Sequence, residues 1–180
     1  MIEQNHLLYA LSVLEGSLSG IDNKKLSNDV LSNKDKRIST VLTESSYEDN
    51  NISWSAEIKT ILNTMSNGFE KFTGTHTLTS AEYWGHIQEK NMSTNYHNHG
   101  SEGVSGVYYC QMPENSAEIV FWWKENLDAP PRRYNITPQE GRYLLFPSYL
   151  YHSVPINESE TPRISISFNF GVHQIDKSKK

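Results

Sequence analysis

Three histidines, His97, His99 and His152, are the residues best suited to bind a metal ion together. Alternate side chains of an extended strand share a face, so His97 and His99 would both project to the same side of the segment that contains them. His152 follows an apolar segment and a Pro-Ser turn, so it could join them from a distant strand. Imidazole binds Fe, Zn, Cu and Ni, and three protein ligands leave positions open for catalysis. An H-x-H pair is also common among surface polar residues, so the spacing alone does not identify a metal site.

The C-terminal segment 162–170 alternates strictly between polar and apolar residues, which predicts a strand. One face carries Arg163, Ser165, Ser167 and Asn169, and the other carries Ile164, Ile166, Phe168 and Phe170. The apolar face predicts core packing, so the polar face must meet water or a polar pocket. In a pocket, a guanidinium beside a hydroxyl would bind a carboxylate through two oxygens. From this strand alone, an exposed edge with one solvated arginine fits equally well.

Four segments in this order resemble the 2-oxoglutarate/Fe(II)-dependent oxygenases. They are the H-x-H at 97–99, Ser-Gly-Val-Tyr-Tyr at 105–109, Gly-Arg-Tyr-Leu-Leu-Phe-Pro-Ser at 141–148 with His152, and Arg-Ile-Ser at 163–165. The chain is most similar to a small family of these oxygenases with the pattern H-x-H followed by S-G-x-Y-Y, related to prolyl 4-hydroxylase-like proteins. The resemblance covers residues 83–170, and the ordered combination is more specific than any single motif.

The resemblance implies a role for each matching residue. His97 and His152 match two ligands of Fe(II), and Arg163 with Ser165 matches the pair that holds the remote carboxylate of 2-oxoglutarate. Tyr109 matches a position whose hydroxyl often reaches the same carboxylate. The activity implied is a hydroxylation that consumes O2 and converts 2-oxoglutarate to succinate and CO2.

The chain departs from the superfamily at His99, which stands where a carboxylate is usual. With His99 as third ligand, three neutral imidazoles would leave a ferrous ion its full charge of about +2, instead of about +1. The alternative is that His99 does not coordinate and that its position stays open. We expect the ligand role, because imidazole has the reach and a nearby metal favours its neutral form.

Composition narrows the class of protein. The chain has 180 residues, a formal net charge of -5 and one cysteine, Cys110. The negative charge predicts no general attraction to nucleic acid or anionic membranes, and no apolar run reaches the roughly 20 residues of a membrane span. We therefore expect a cytoplasmic protein, and the resemblance implies that it acts on a small molecule or peptide. The sequence does not indicate the oligomeric state or the substrate.

The predicted fold is a double-stranded β-helix, a cupin-like jelly roll, buttressed by N-terminal helices within one domain, 1–180. All seven prolines lie at or beyond Pro113, so residues 1–80 predict the helical buttress and 81–175 the sheets. Apolar spacing predicts a helix between Trp54 and Phe72 and another over 2–18, with irregular chain over 32–51 and a loop over 124–134. Strands are predicted near 82–88, 95–99, 104–111, 117–123, 142–147, 151–155 and 162–170.

Two other functions stay open at this point. A three-histidine dioxygenase of the cupin type would use O2 without a co-substrate and would not need Arg163 in its cavity. A non-enzymatic jelly-roll binding module would need neither the metal nor the arginine. The remaining histidines, His6, His76, His86 and His173, have no partner at ligand spacing and are expected to be surface or satisfied core residues.

Overall fold

The computed structural model describes residues 11–32, 38–39, 44–45, 54–73, 81–101 and 103–171, which form two antiparallel sheets and two helices. In order across it, the major sheet contains β1 (Leu14–Ser17), β9 (Arg142–Pro147), β6 (Val104–Gln111), β11 (Arg163–Phe170), β4 (Ala81–Gln88), β3 (Glu44–Ser45) and β2 (Ile38–Ser39). The minor sheet contains β5 (Thr94–His97), β10 (Tyr151–Val154), β7 (Ile119–Trp123) and β8 (Arg132–Ile136). The mainly β fold with a jelly-roll arrangement is the predicted one.

Each face of the major sheet contributes to a separate apolar core. Ile164, Ile166, Phe168 and Phe170 of β11 pack with residues of the two helices, α1 (Asn23–Ser32) and α2 (Glu57–Thr73). On the opposite face, Tyr109 and Phe146 of the major sheet pack against Phe121 of the minor sheet. The polar side chains of β11 lie on this second face because successive residues of a strand alternate. The alternation predicted for 162–170 therefore directs Arg163 and its neighbours between the sheets.

The N-terminal half differs in part from the prediction. The helix between Trp54 and Phe72 is present as α2, whose apolar stripe packs on the major sheet. The prediction of a helix over 2–18 is wrong for Leu14–Ser17, because these residues pair with β9 as a strand. Residues 2–10 of the predicted helix lie outside the described residues. The short α1, which the sequence did not predict, begins after Asp22, whose carboxylate accepts a hydrogen bond from the Lys25 backbone nitrogen at 3.0 Å. Within the expected irregular segment, β2 and β3 form a small hairpin.

The loop expected over 124–134 ends earlier than predicted. Arg132 and Arg133 belong to β8, which pairs with β7 at the edge of the minor sheet. Both arginines are exposed, and Arg132 forms an ion pair with Glu125 at 3.0 Å. Cys110 is buried and free. Within the described residues, no helix is long and apolar enough to cross a membrane.

Gly106 is required by close packing between β6, β9 and α2. A Cβ atom at this position would lie 2.6 Å from the Met65 side chain and 2.9 Å from the backbone oxygen of Leu144. The backbone atom cannot move without disturbing the strand pairing, so we expect Gly106→Ala to lower the free energy of unfolding by about 1–3 kcal/mol. Urea denaturation of the metal-free protein would measure this loss of stability, with the exposed Lys124→Ala as the control. Equal stability of the two variants would contradict the packing argument.

Candidate metal centre

The structure brings His97, His99 and His152 together at the end of β5. His97 and His152 are cross-strand partners, and His99 follows β5 by two residues. One ligand nitrogen from each of the three side chains lies within 4.8 Å of the others. Their ring centroids are separated by 4.3 Å for His97 and His152 and by 5.2 Å for His99 and His152. This spacing allows one metal ion to be bound by three imidazoles.

Hydrogen bonds orient two of the three rings. Nδ1 of His97 lies 2.7 Å from the Asn95 carbonyl oxygen, and Nδ1 of His152 lies 3.0 Å from the Leu150 carbonyl oxygen. A carbonyl oxygen can only accept, so each Nδ1 is the protonated nitrogen and donates. The lone pair of each ring is therefore on Nε2, the nitrogen left to bind a metal.

The surroundings keep two of the histidines neutral. Burial, together with repulsion from His97, lowers the pKa of His152 from 6.5 to about 3 and that of His99 to about 4. Both rings are therefore uncharged near neutral pH, and a metal would not have to displace protons from them. A donor set of three imidazoles fits Fe(II), as well as Zn, Cu and Ni.

Arg163 is a buried cation with unusual partners. Its side chain is only 4% exposed, one guanidinium nitrogen donates to the Ala117 carbonyl oxygen at 2.6 Å, and its guanidinium carbon lies 5.3 Å from the centre of the Tyr109 ring. No carboxylate of the described residues forms an ion pair with it. Burial accordingly lowers the pKa of Arg163 from its usual value. A buried charge without a counter-charge is costly, so this environment is suited to receiving an anion.

Three buried polar atoms on the two strands that flank β11 have no hydrogen-bond partners. They are Nε2 of His86, Nε2 of Gln88 and the hydroxyl oxygen of Tyr109. In the strand register, Ser165 pairs with both His86 and Tyr109, and Arg163 pairs with Gln88. Cross-strand partners share a face, so these side chains converge between the two sheets. Burial raises the pKa of Tyr109 to about 12, so its hydroxyl keeps its proton and can donate.

His86 and Gln88 pair with Ser165 and Arg163 in the sheet, and neither was among the candidate site residues named from the sequence. His86 was expected to be a surface or satisfied core residue, but its buried Nε2 has no partner, so that expectation is wrong. The signal was present in β4, where Trp84, His86 and Gln88 alternate with Ile87 and Gly85 in the same way as the polar and apolar residues of β11. The other unassigned histidines, at 6, 76 and 173, lie outside the described residues.

The buried His86 predicts a loss of stability in weak acid. Burial, and next the charge of Arg163, lowers the pKa of His86 from 6.5 to about 4. Between these values the unfolded chain binds the proton and the folded chain does not, so stability falls as the pH falls. We expect His86 to account for about 1–2 kcal/mol of the loss between about pH 7.5 and about pH 5 in the metal-free protein. Urea denaturation of wild type and His86→Ala would measure it, and identical pH dependence would contradict it.

An apolar cavity of about 590 Å³ borders the site without containing it. Its walls include Phe121, Trp123 and Leu150 together with Val13, at the edge where β1 faces β7. None of the three histidines lines this cavity in the described part of the chain, but Phe121 is the cross-strand partner of His152 and their ring centroids lie 6.1 Å apart. The cavity is therefore separated from the metal position by one aromatic residue.

Comparison with known families and structures agrees with this geometry. Residues 82–169, about half of the chain, match a family described as "Putative 2OG-Fe(II) oxygenase". This segment contains all three histidines, Arg163 and the converging polar residues. No curated protein sequence matches the chain.

Solved structures that share the fold include two prolyl hydroxylases and an alpha ketoglutarate dependent epimerase. A prolyl-4-hydroxylase from Pseudomonas putida superposes with a TM-score of 0.68 at 13% identity, covering 91% of this chain and 94% of that one. A prolyl hydroxylase from Trichoplax adhaerens, solved with a hypoxia inducible factor peptide, gives 0.64 at 12% identity, covering 89% and 82%. The epimerase SnoN from nogalamycin biosynthesis, solved with Fe3+, alpha ketoglutarate and nogalamycin RO, gives 0.68 at 10% identity, covering 89% and 78%.

The similarity to solved structures shows the fold. The family match covers the segment that contains the three histidines and Arg163. Because that segment runs through both sheets and carries the cluster that could bind iron, the two findings describe the same region of the molecule. Residues 82–169 match the 2OG-Fe(II) oxygenase family, and the chain has the fold of the solved prolyl hydroxylases.

Proposed function

We propose that the protein hydroxylates a substrate while converting 2-oxoglutarate and O2 to succinate and CO2. One oxygen atom of O2 enters succinate and the other enters the hydroxyl group of the product, so atoms and electrons balance. His97, His99 and His152 hold Fe(II) in this proposal, and Arg163 with Ser165 and Tyr109 holds the remote carboxylate of 2-oxoglutarate. The substrate is a small molecule or a peptide.

The observation that carries the proposal is the buried, unpaired Arg163. Its guanidinium has no carboxylate partner among the described residues, and the buried hydroxyl of Tyr109 beside it has no hydrogen-bond partner. Both are donors, so an anion that accepts hydrogen bonds would satisfy them at once. His86 and Gln88 also offer nitrogen atoms without partners on this face. A dioxygenase without a carboxylate co-substrate would have no use for this arrangement.

The charges of the site favour a dianion. The three histidines contribute no charge when they are neutral, so a ferrous ion would keep about +2, and Arg163 adds about +1. A 2-oxoglutarate dianion would offset most of this charge, with one carboxylate at each end of the positive region.

The residues of the chain supply position, protonation state and exclusion of water. Fe(II), when bound, supplies the redox chemistry that activates O2. The carbonyl groups of Asn95 and Leu150 fix the imidazole rings of His97 and His152, so that Nε2 faces the metal position. Phe121 and Phe146 pack against the His152 ring, with centroids at 6.1 Å and 4.8 Å, and shield that side of the site from solvent.

The test is an anaerobic titration of the metal-free protein with Fe(II) and then with 2-oxoglutarate. Chelation of the 2-oxo acid to ferrous iron gives a visible charge-transfer band. We expect the band to appear, to fade when air is admitted, and to be accompanied by release of succinate. Iron binding without a band would favour a three-histidine dioxygenase that needs no co-substrate. Absence of iron binding would overturn the proposal and favour a non-enzymatic binding module.

A further inference from the structure

His99 is the least supported of the three histidines. His97 is the last residue of β5, and His152 lies inside β10, which pairs on both sides. His99 lies beyond the strand, in a segment that contains Gly100 and Gly103 with φ angles of 109° and 94°. Such positive φ angles favour glycine and mark an irregular chain. Other contacts must therefore hold His99 in place.

One turn, from Pro147 to Leu150, presents three consecutive carbonyl groups to the site, two of them to this segment and one to His152. The Ser148 oxygen accepts from the His99 backbone nitrogen at 2.9 Å. The Tyr149 oxygen accepts from the Asn98 side chain at 3.4 Å, and the Leu150 oxygen accepts from Nδ1 of His152 at 3.0 Å. The position of His99 therefore depends on the position of Ser148.

A buried hydrogen-bond chain anchors Ser148. Its hydroxyl oxygen lies 2.9 Å from that of Ser105 on β6, and the Ser105 hydroxyl donates to Oδ1 of Asn169 on β11 at 2.8 Å. A hydroxyl has one hydrogen, so Ser148 must donate to Ser105, which donates to Asn169. The three side chains are 0%, 1% and 5% exposed. This chain connects the turn to the centre of the major sheet.

The burial of this hydrogen-bond chain requires an explanation, because burying hydroxyl groups is costly and apolar side chains could fill the same space. A fully satisfied polar network holds its members in one arrangement, which apolar packing does less strictly. Ser105 belongs to the S-G-x-Y-Y segment and Ser148 to the Phe-Pro-Ser segment. Neither serine is assigned to metal or co-substrate binding, so those roles do not explain why serine stands at these two positions.

We propose that the hydrogen-bond chain formed by Ser148, Ser105 and Asn169 positions His99 as the third metal ligand. The inference rests on the proposed function, because it takes the three histidines to bind one metal ion. It makes Ser105 and Asn169 positioning residues, which act on the metal through the backbone of Ser148 and His99 without contacting it.

The test is a double-mutant cycle that uses Co(II) as a probe, with affinity measured from its visible absorption. Outer partners of metal ligands are typically worth 10- to 100-fold in affinity, so Ser105→Ala should weaken Co(II) binding about tenfold. In the His99→Ala background, the same change should alter the affinity by less than about twofold, since the ligand on which it acts is gone. The Co(II) spectrum of Ser105→Ala should also shift toward that of His99→Ala. Ser27→Ala is the control, because it removes a hydroxyl that is buried in α1, which packs on the opposite face of the sheet.

Equal losses of affinity in both backgrounds, or no loss in either, would overturn the positioning role. Ser148→Ala removes one bond of the chain and keeps the backbone carbonyl that His99 uses, so it repeats the test if Ser105→Ala does not fold. Wild-type protein that binds no Co(II) would instead overturn the metal site itself. The two failures are therefore distinguishable, since only the second affects the unmodified chain.

Discussion

Replacing His152 by alanine is expected to remove Fe(II) binding from the metal-free protein. His152 is 6% exposed, and its Nε2 is the nitrogen left to bind a metal because Nδ1 is hydrogen-bonded to the Leu150 carbonyl oxygen. Loss of an outer partner alone typically costs 10- to 100-fold in metal affinity, so loss of a ligand should cost more than about 100-fold. Anaerobic equilibrium dialysis against Fe(II) would measure the affinity, and His97→Ala should give a loss of similar size.

A matched control lies next to His152 on the same strand. Tyr151 points to the opposite face of β10, where it is 41% exposed and stacks on Tyr96 with a centroid distance of 4.6 Å. Tyr151→Ala should keep Fe(II) affinity within about twofold of wild type, because surface substitutions away from a site have small effects. Retention of iron binding in His152→Ala, in protein that unfolds cooperatively, would exclude the three-histidine site.

The strands that the sequence predicts well are those buried on at least one face. Residues 104–111 and 142–147 coincide with β6 and β9, and the strand predicted over 162–170 is β11. Their side chains alternate or are continuously apolar because each strand lies between two layers of the structure. Burial imposes the pattern, so the pattern is readable from one sequence.

The missed elements carry little apolar pattern. β8 is exposed along almost its whole length, and β1 is a four-residue edge strand of sequence Leu-Glu-Gly-Ser. α1 is polar apart from Leu26, Val30 and Leu31, and only the first two of these are buried. These elements form because a neighbouring strand or sheet is present to pair with or pack on, and local sequence does not encode that context.

The candidate site also contains residues that the sequence indicates and contacts that it does not. His97, His99, His152 and Arg163 could be named because each lies in a recognisable segment with internal spacing. The pairing of His86 with Ser165 and the contact of Ser105 with Ser148 depend on the register between strands that are far apart in sequence. A register shift of one residue would turn each of these side chains to the other face. The alternation of β4 could point to His86 as an inward-facing residue, but three-dimensional information was needed to find these contacts.

Replacing Arg163 by methionine should separate co-substrate binding from metal binding. Methionine keeps most of the side-chain volume but removes the charge and the donors. Truncating one partner of a buried, hydrogen-bonded charge pair typically costs about 2–5 kcal/mol, so 2-oxoglutarate affinity should fall by about 30-fold to more than 1,000-fold. Titration of the charge-transfer band with 2-oxoglutarate would measure this loss, while Fe(II) affinity should stay within about threefold, since Arg163 is not placed as a ligand. The exposed Arg133→Met is the control.

The same variant should also be at least as stable as wild type when metal and co-substrate are absent. Arg163 is buried without a carboxylate partner, and apolar replacement of buried charges is often neutral or stabilising by about 1–4 kcal/mol. The gain is reduced because the Ala117 carbonyl oxygen loses its donor. Urea denaturation should thus give a stability equal to or above that of wild type. A clear loss of stability with unchanged 2-oxoglutarate affinity would make Arg163 a structural residue. A site that binds iron but has no anion receptor would then fit a three-histidine dioxygenase without a co-substrate.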